Sequence, residues 1–251
     1  MVVKGAGSNQ YRTRLRPASD LCSDALSFDE QLQQLNLATD PLASPAALAR
    51  LARHPSKGVR GAVASNPSCP PRLLTKLARD PDWQVRVESV HNPACPAETL
   101  AATAQHPNCP AEALEHLSHS HSWSIREQVA QNPNCPGPTL AQLAADPSTY
   151  VRRAVAKNGS APPDTFRQLA QDSEAAVRLA AASNPSCPVA ALELLAIDGQ
   201  DKIRGAVARQ PGCPLELLEQ LLSDPSPPVR LAAAANPNLP PYMLAMWQLT
   251  H

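Results

Sequence analysis

The chain has 251 residues, and 22 Lys+Arg balance 22 Asp+Glu, so its formal net charge is zero. That balance argues against a dedicated nucleic-acid or anionic-membrane binder, which carries a basic excess. Three Trp, three Tyr and two Phe are too few for an aromatic-rich β-sandwich or barrel core, while the 28 prolines are roughly twice ordinary usage.

In chain order, residues 1–27 come first. Lys4, Arg12, Arg14 and Arg16 face one acid, Asp20, among the first twenty residues, and a disordered basic arm is expected. MVVKGAGSNQYRTRLRP contains no apolar segment of the signal-peptide kind. No apolar run anywhere reaches the roughly 18–20 residues that a membrane span needs. A soluble, cytoplasmic protein is expected. Residues 28–38, FDEQLQQLNLA, read as a capping helix, with Ser27 and Glu30 as a capping box.

From Asp40 the chain repeats itself. Asn66, Asn92, Asn132, Asn158, Asn184 and Asn236 open units with Asn-Pro or Asn-Gly, and His106 and Gln210 fill the same slot. The starts are 26 residues apart except for one interval of 14, from 92 to 106. Arg60, Arg86, Arg126, Arg152, Arg178, Arg204 and Arg230 keep the same step, with one interval of 40, the sum of 26 and 14. Two independent markers therefore agree. The first 14 residues of a unit follow NPSCPPRLLTKLAR (66–79), where Leu73, Leu74, Leu77 and Ala78 mark one face of a short helix. The last 12 follow DPSTYVRRAVAK (146–157). There Asp then Pro reads as a helix start, and Val151, Ala154 and Val155 share a face. The next Asn-Pro ends this second helix, which is short enough for 3₁₀ geometry. Neither helix can bury its face alone, so stacked neighbours must build the core.

The expected fold is all-α: a solenoid of 26-residue two-helix repeats over 28–251. Repeats span 40–235, the segment 92–105 is a half-repeat, and 236–251 form a C-terminal cap built on Met243, Leu244 and Trp247. The unit from Asp40 to Ser65 is one residue short.

The pairing of N-P-x-x-P-x-x-x-L with D-P-x-x-x-V-R-x-x-V-A resembles the leucine-rich repeat variant family over about residues 40–251. That resemblance implies alternating α and 3₁₀ helices in a right-handed superhelix, with no general activity. Some members hold an N-terminal iron–sulfur cluster on clustered cysteines. Here only Cys22 precedes the repeats, so no cofactor is implied. A weaker resemblance is to HEAT-like repeats, which include scaffolds and bilin lyase subunits.

Cys69, Cys95, Cys109, Cys135, Cys187 and Cys213 share a slot that elsewhere holds Ala161 or Leu239, which marks it as buried and apolar. Five arginines, Arg86, Arg152, Arg178, Arg204 and Arg230, have Asp six residues earlier, and a structural ladder is expected in which each arginine pairs with the Asp of its own or the adjacent repeat and with helix-end carbonyls. Arg60 and Arg126 have His54 and Ser120 there instead, which makes them candidates for contacts with a partner. Trp83 and Trp123 share one slot on either side of the irregular interval, near Glu88, Glu127 and Gln128, and together suggest a binding hot spot. His91, His106, His116, His119 and His121 cluster there too. His116-x-x-His119 with Cys109 has metal-ligand spacing, but solvated histidines are the simpler reading. Phosphate-loop, dinucleotide, nucleophile-elbow and metalloprotease motifs are absent. The expected function is non-catalytic protein–protein interaction on one solenoid face, the partner being another protein. The alternatives are a HEAT-like lyase or chaperone subunit handling a tetrapyrrole or metal cofactor, and nucleic-acid binding by the arginine column.

Overall fold

The computed structural model describes residues 28–250; the expected basic arm and Ser27 lie outside them. The described residues form seventeen α-helices and no strand. They are α1 (Phe28–Thr39), α2 (Pro45–Leu51), α3 (Lys57–Ser65), α4 (Pro71–Leu77), α5 (Trp83–His91) and α6 (Ala97–Gln105). Then come α7 (Ala111–Ser118), α8 (Trp123–Gln131), α9 (Gly137–Leu143), α10 (Thr149–Lys157), α11 (Pro163–Leu169) and α12 (Ala175–Ala182). The stack ends with α13 (Val189–Ala196), α14 (Asp201–Ala208), α15 (Leu215–Leu222), α16 (Pro227–Ala234) and α17 (Pro241–Thr250).

Two expectations about the second helices need correction. They are α-helical over eight or nine residues, as in α10 and α14, and not 3₁₀. Bonding of the 3₁₀ type is confined to their ends, where Val151 N donates to Ser148 O (3.1 Å) and Asn158 N donates to Val155 O (3.0 Å). The Asp-Pro pair does not start them either. Helix α10 begins at Thr149 with Ser148 at its N-cap, two residues beyond Asp146. The Asp146 carboxylate instead accepts from Ser148 N (2.8 Å), which closes a turn ahead of the helix. Proline at the first helical position occurs in first-half helices such as α4 and α11.

The core forms where first and second helices face one another. Leu74, Leu114, Leu140, Phe166, Leu192 and Leu218 from first helices meet Val85, Val129, Val155, Val177, Val207 and Val229 from second helices, all essentially inaccessible. Each fully buried Leu or Val contributes about 1.5–3 kcal/mol relative to exposure. At the end, Met243, Leu244 and Trp247 of α17 pack on this core, and Trp247 Nε1 donates to Leu222 O (3.3 Å).

The short interval changes how the rows stack. In the first block α1, α3 and α5 pack closely on one another; beyond it α6, α8, α10, α12, α14 and α16 do so. Helix α6 carries the opening sequence of a first helix, yet it occupies the row of second helices. Its C-terminal Ala104 O receives the next repeat's asparagine, as Ala130 O does one repeat later. Half a repeat has been lost by letting one helix serve both roles. The closely packed row therefore passes from the odd-numbered to the even-numbered helices at α5–α6. The core divides there too, one cluster running from Ala38 to Cys95 and the other from Val87 to Leu239, with Leu100 packed against both.

Candidate functional site

Two polar ladders tie the repeats together. In the first, the slot-opening asparagine turns inward. Asn158 Nδ2 donates to Ala130 O (2.8 Å) and Asn132 O (2.9 Å) of the preceding repeat, while its Oδ1 accepts from Ser160 N (2.9 Å). Asn66, Asn92, Asn132 and Asn236 repeat this arrangement, and Gln210 reaches Ala182 O and Asn184 O. Buried carbonyls at helix ends thereby gain the donors they would otherwise lack. The sequence marks these residues as repeat starts but not as inter-repeat donors.

The second ladder is made by the arginines. Arg126 Nε and Nη2 grip both Asp146 oxygens (2.6 and 2.9 Å), and Arg126 Nη1 donates to Ser120 O (2.7 Å). The same fork joins Arg60 to Asp80, Arg152 to Asp172, Arg178 to Asp198 and Arg204 to Asp224. Each aspartate lies 20 residues after its arginine, in the next repeat. This reverses the expectation for Arg60 and Arg126, whose forks are occupied. What matters is the residue 20 positions ahead, not the one six behind. His54 and Ser120 follow Gln34 and Leu100 by 20, so no arginine requires a carboxylate at either place. Arg86 and Arg230 have no carboxylate partner among the described residues; they bind only backbone carbonyls.

Burial tends to raise the carboxyl pKa of Asp146, Asp172 and Asp198, but the arginine and backbone hydrogen bonds outweigh it and hold each below the usual range. For Asp224 the Arg204 hydrogen bond is itself the largest influence, again lowering the pKa. With five guanidinium edges engaged, the arginine column is not an open cationic stripe.

The six slot cysteines are buried free thiols. Desolvation pushes them up, to about 11 for Cys69, Cys95, Cys109 and Cys213 and about 12 for Cys135 and Cys187. At the irregular interval the His91 and His116 rings meet at 4.1 Å. The His116 pKa is lowered, first by desolvation and then by the charges of His91 and His119. No group of three or more His, Cys, Asp or Glu among the described residues is arranged to hold a metal.

Trp83 and Trp123 open α5 and α8, each about half exposed (45% and 46%). Helix α7 packs against both α5 and α8, and the two tryptophan-bearing helices belong to different rows. Trp123 stacks on Tyr150 of α10, with ring centroids 5.0 Å apart and planes 27° from parallel. The Arg153 guanidinium lies 5.6 Å from the Tyr150 ring centre. Glu127 accepts from Gln131 (3.3 Å) on the same helix, Gln128 is partly buried there, and Glu88 on α5 accepts from Ser65 Oγ (2.6 Å). Sequence reasoning missed Tyr150 and Arg153. The available signal was an aromatic residue 27 positions after Trp123, which brings the two together across neighbouring repeats.

The leucine rich repeat variant profile matches residues 123–148 and 202–226, and the profile of a leucine rich repeat variant domain matches residues 33–88. Over these stretches the chain is similar to the leucine-rich repeat variant family. Among solved structures it is similar to one described as a leucine-rich repeat variant with a novel repetitive protein structural motif. Identity is 27%, coverage 82% of each chain and TM-score 0.45. It is also similar to a designed armadillo repeat protein at 18% identity, covering 80% of this chain and 95% of that one, with TM-score 0.28. No curated protein matches it. The two ladders and the cysteine slot lie within the repeat stack, and the Trp123–Tyr150 pair belongs to neither ladder. No helix among the described residues is long and apolar enough to cross a membrane.

Proposed function

We propose that this chain is a non-catalytic scaffold that binds a segment of another protein along its row of second helices. The observation that carries the reading is the half-exposed stack of Trp123 on Tyr150 beside Arg153. Trp, Tyr and Arg are enriched at interface hot spots, and the rigid rings of Trp and Tyr bury a large area at small cost in rotamer freedom. Glu127 and Gln128 would form the polar rim, and Trp83 with Glu88 a separate contact on the first block. Arg60 and Arg126 serve the stack rather than the partner. Free buried thiols suit a reducing compartment, which supports a cytoplasmic location.

The test is capture of a partner from native lysate by the tagged chain, compared with Trp123→Ala and Tyr150→Ala. Both side chains are half exposed, so the variants should keep the wild-type helical circular dichroism while retaining at most a tenth of the partner. Equal capture by wild type and both variants refutes the surface. Trp83→Ala should have a smaller, separate effect.

A further inference from the structure

We propose that Arg86 is the anchor of a carboxylate-binding site created by the lost half-repeat. Every other arginine of the ladder that has a following repeat closes its Nε–Nη2 edge on an aspartate 20 residues ahead. Twenty residues beyond Arg86 stands His106. Its Nδ1 accepts from Asn108 N (3.1 Å), which reproduces the local turn that Asp146 makes with Ser148 N, but the ring supplies no carboxylate. Arg86 Nη1 is fixed by Asp80 O (2.9 Å) and Pro81 O (3.0 Å), the anchoring its counterparts show. The remaining edge has one long contact, Nη2 to Asn108 O at 3.4 Å. The guanidinium is therefore pre-oriented and its two-pronged edge is open.

Arg86 lines a cavity of about 840 Å³ between α4, α5 and α6, where the rows exchange roles. The volume lies within the range of small-ligand sites. Arg72, Arg79 and His106 line it as well, against Glu98 and Asp80, and Asp80 is already gripped by Arg60. The local balance is cationic. A planar two-oxygen acceptor matches the fork that the five sister arginines form with aspartate. The ligand chemistry is a carboxylate, supplied either by a small dicarboxylate or by an acidic side chain of a bound peptide.

The experiment titrates the full chain with glutarate, with acetyl-Gly-Glu-Gly-amide and with inorganic phosphate, following the Arg86 side-chain Nε–H and the 106–109 backbone amides by NMR. Saturable shifts confined to these signals are expected with a carboxylate probe; which of the two binds more tightly identifies the source. His106→Asp places the missing carboxylate in the slot. It should raise the melting temperature and weaken probe binding at least tenfold. Arg86→Gln should abolish binding, and His106→Asp keeps the test decisive if that variant does not fold. Phosphate binding as tightly as either carboxylate, no saturable shift, or undiminished binding to His106→Asp would each overturn the proposal.

Discussion

Replacing Asn158 by alanine tests the asparagine ladder most directly. The side chain is buried, donates to two carbonyls of the preceding repeat and accepts one amide, all between 2.8 and 2.9 Å. A buried hydrogen bond is worth about 0.5–1.5 kcal/mol net, and stranding its partner costs more than the bond itself. Three bonds put the loss at about 2–4 kcal/mol, a large share of the roughly 5–15 kcal/mol that holds a domain together. The assay is equilibrium urea unfolding followed by circular dichroism, with Ser160→Ala as reference. Ser160 Oγ makes one exposed bond, to Pro133 O (3.1 Å), and its loss should cost under about 1 kcal/mol. Asn158→Asp adds a sign test. It keeps the acceptor but turns a buried anion toward two carbonyl oxygens, so its carboxyl should titrate above the ordinary aspartate value. Its deficit relative to wild type should therefore shrink as pH falls and the group gains a proton. The reasoning fails if Asn158→Ala costs no more than Ser160→Ala, or if the Asn158→Asp deficit is independent of pH.

Three further outcomes are expected. Asp146, Asp172, Asp198 and Asp224 have lowered pKa values, so the stability they contribute is complete above their unfolded value near 3.8 and is lost as pH falls below it; Asp146→Asn should flatten the slope of unfolding free energy against pH in that window, and an unchanged slope would count against the ladder. In a Cys22→Ser variant the six slot thiols should resist alkylation at pH 8 and react together on denaturation, since the thiolate is the nucleophile and burial holds them protonated; rapid native labelling would contradict the buried slot. Amide exchange should be faster in α1–α4 than in α9–α14, because the smaller core cluster supports the former; uniform protection would mean that the core is continuous across α5–α6.

The periodic sequence carries most of the architecture. An Asn-Pro every 26 residues stops one helix and sets up the next, and a slot that accepts Cys, Ala or Leu is a core position wherever the repeats stack. These are local properties, visible in one dimension because each repeat sees only its neighbours. The 14-residue interval also marked where regularity fails. It did not reveal that α6 would act as both kinds of helix, because that outcome depends on which row the following helix packs against.

The arginine partners show where one-dimensional reading ends. With a 26-residue period, an aspartate six residues before one arginine is also 20 residues after another, so the spacing satisfies both pairings at once. The tertiary structure assigns the carboxylate of Asp146 to Arg126 and its backbone carbonyl to Arg152. The physical reason is reach: the planar fork meets the carboxylate across the repeat boundary, while its remaining nitrogen closes on the backbone of its own turn. The same geometry occupies Arg60 and Arg126, leaves the edge of Arg86 open, and brings Tyr150 to Trp123 from the next repeat. Sequence alone fixed the repeat and its register; the stacking of neighbours decided which side chains are spent on the scaffold and which remain for a ligand.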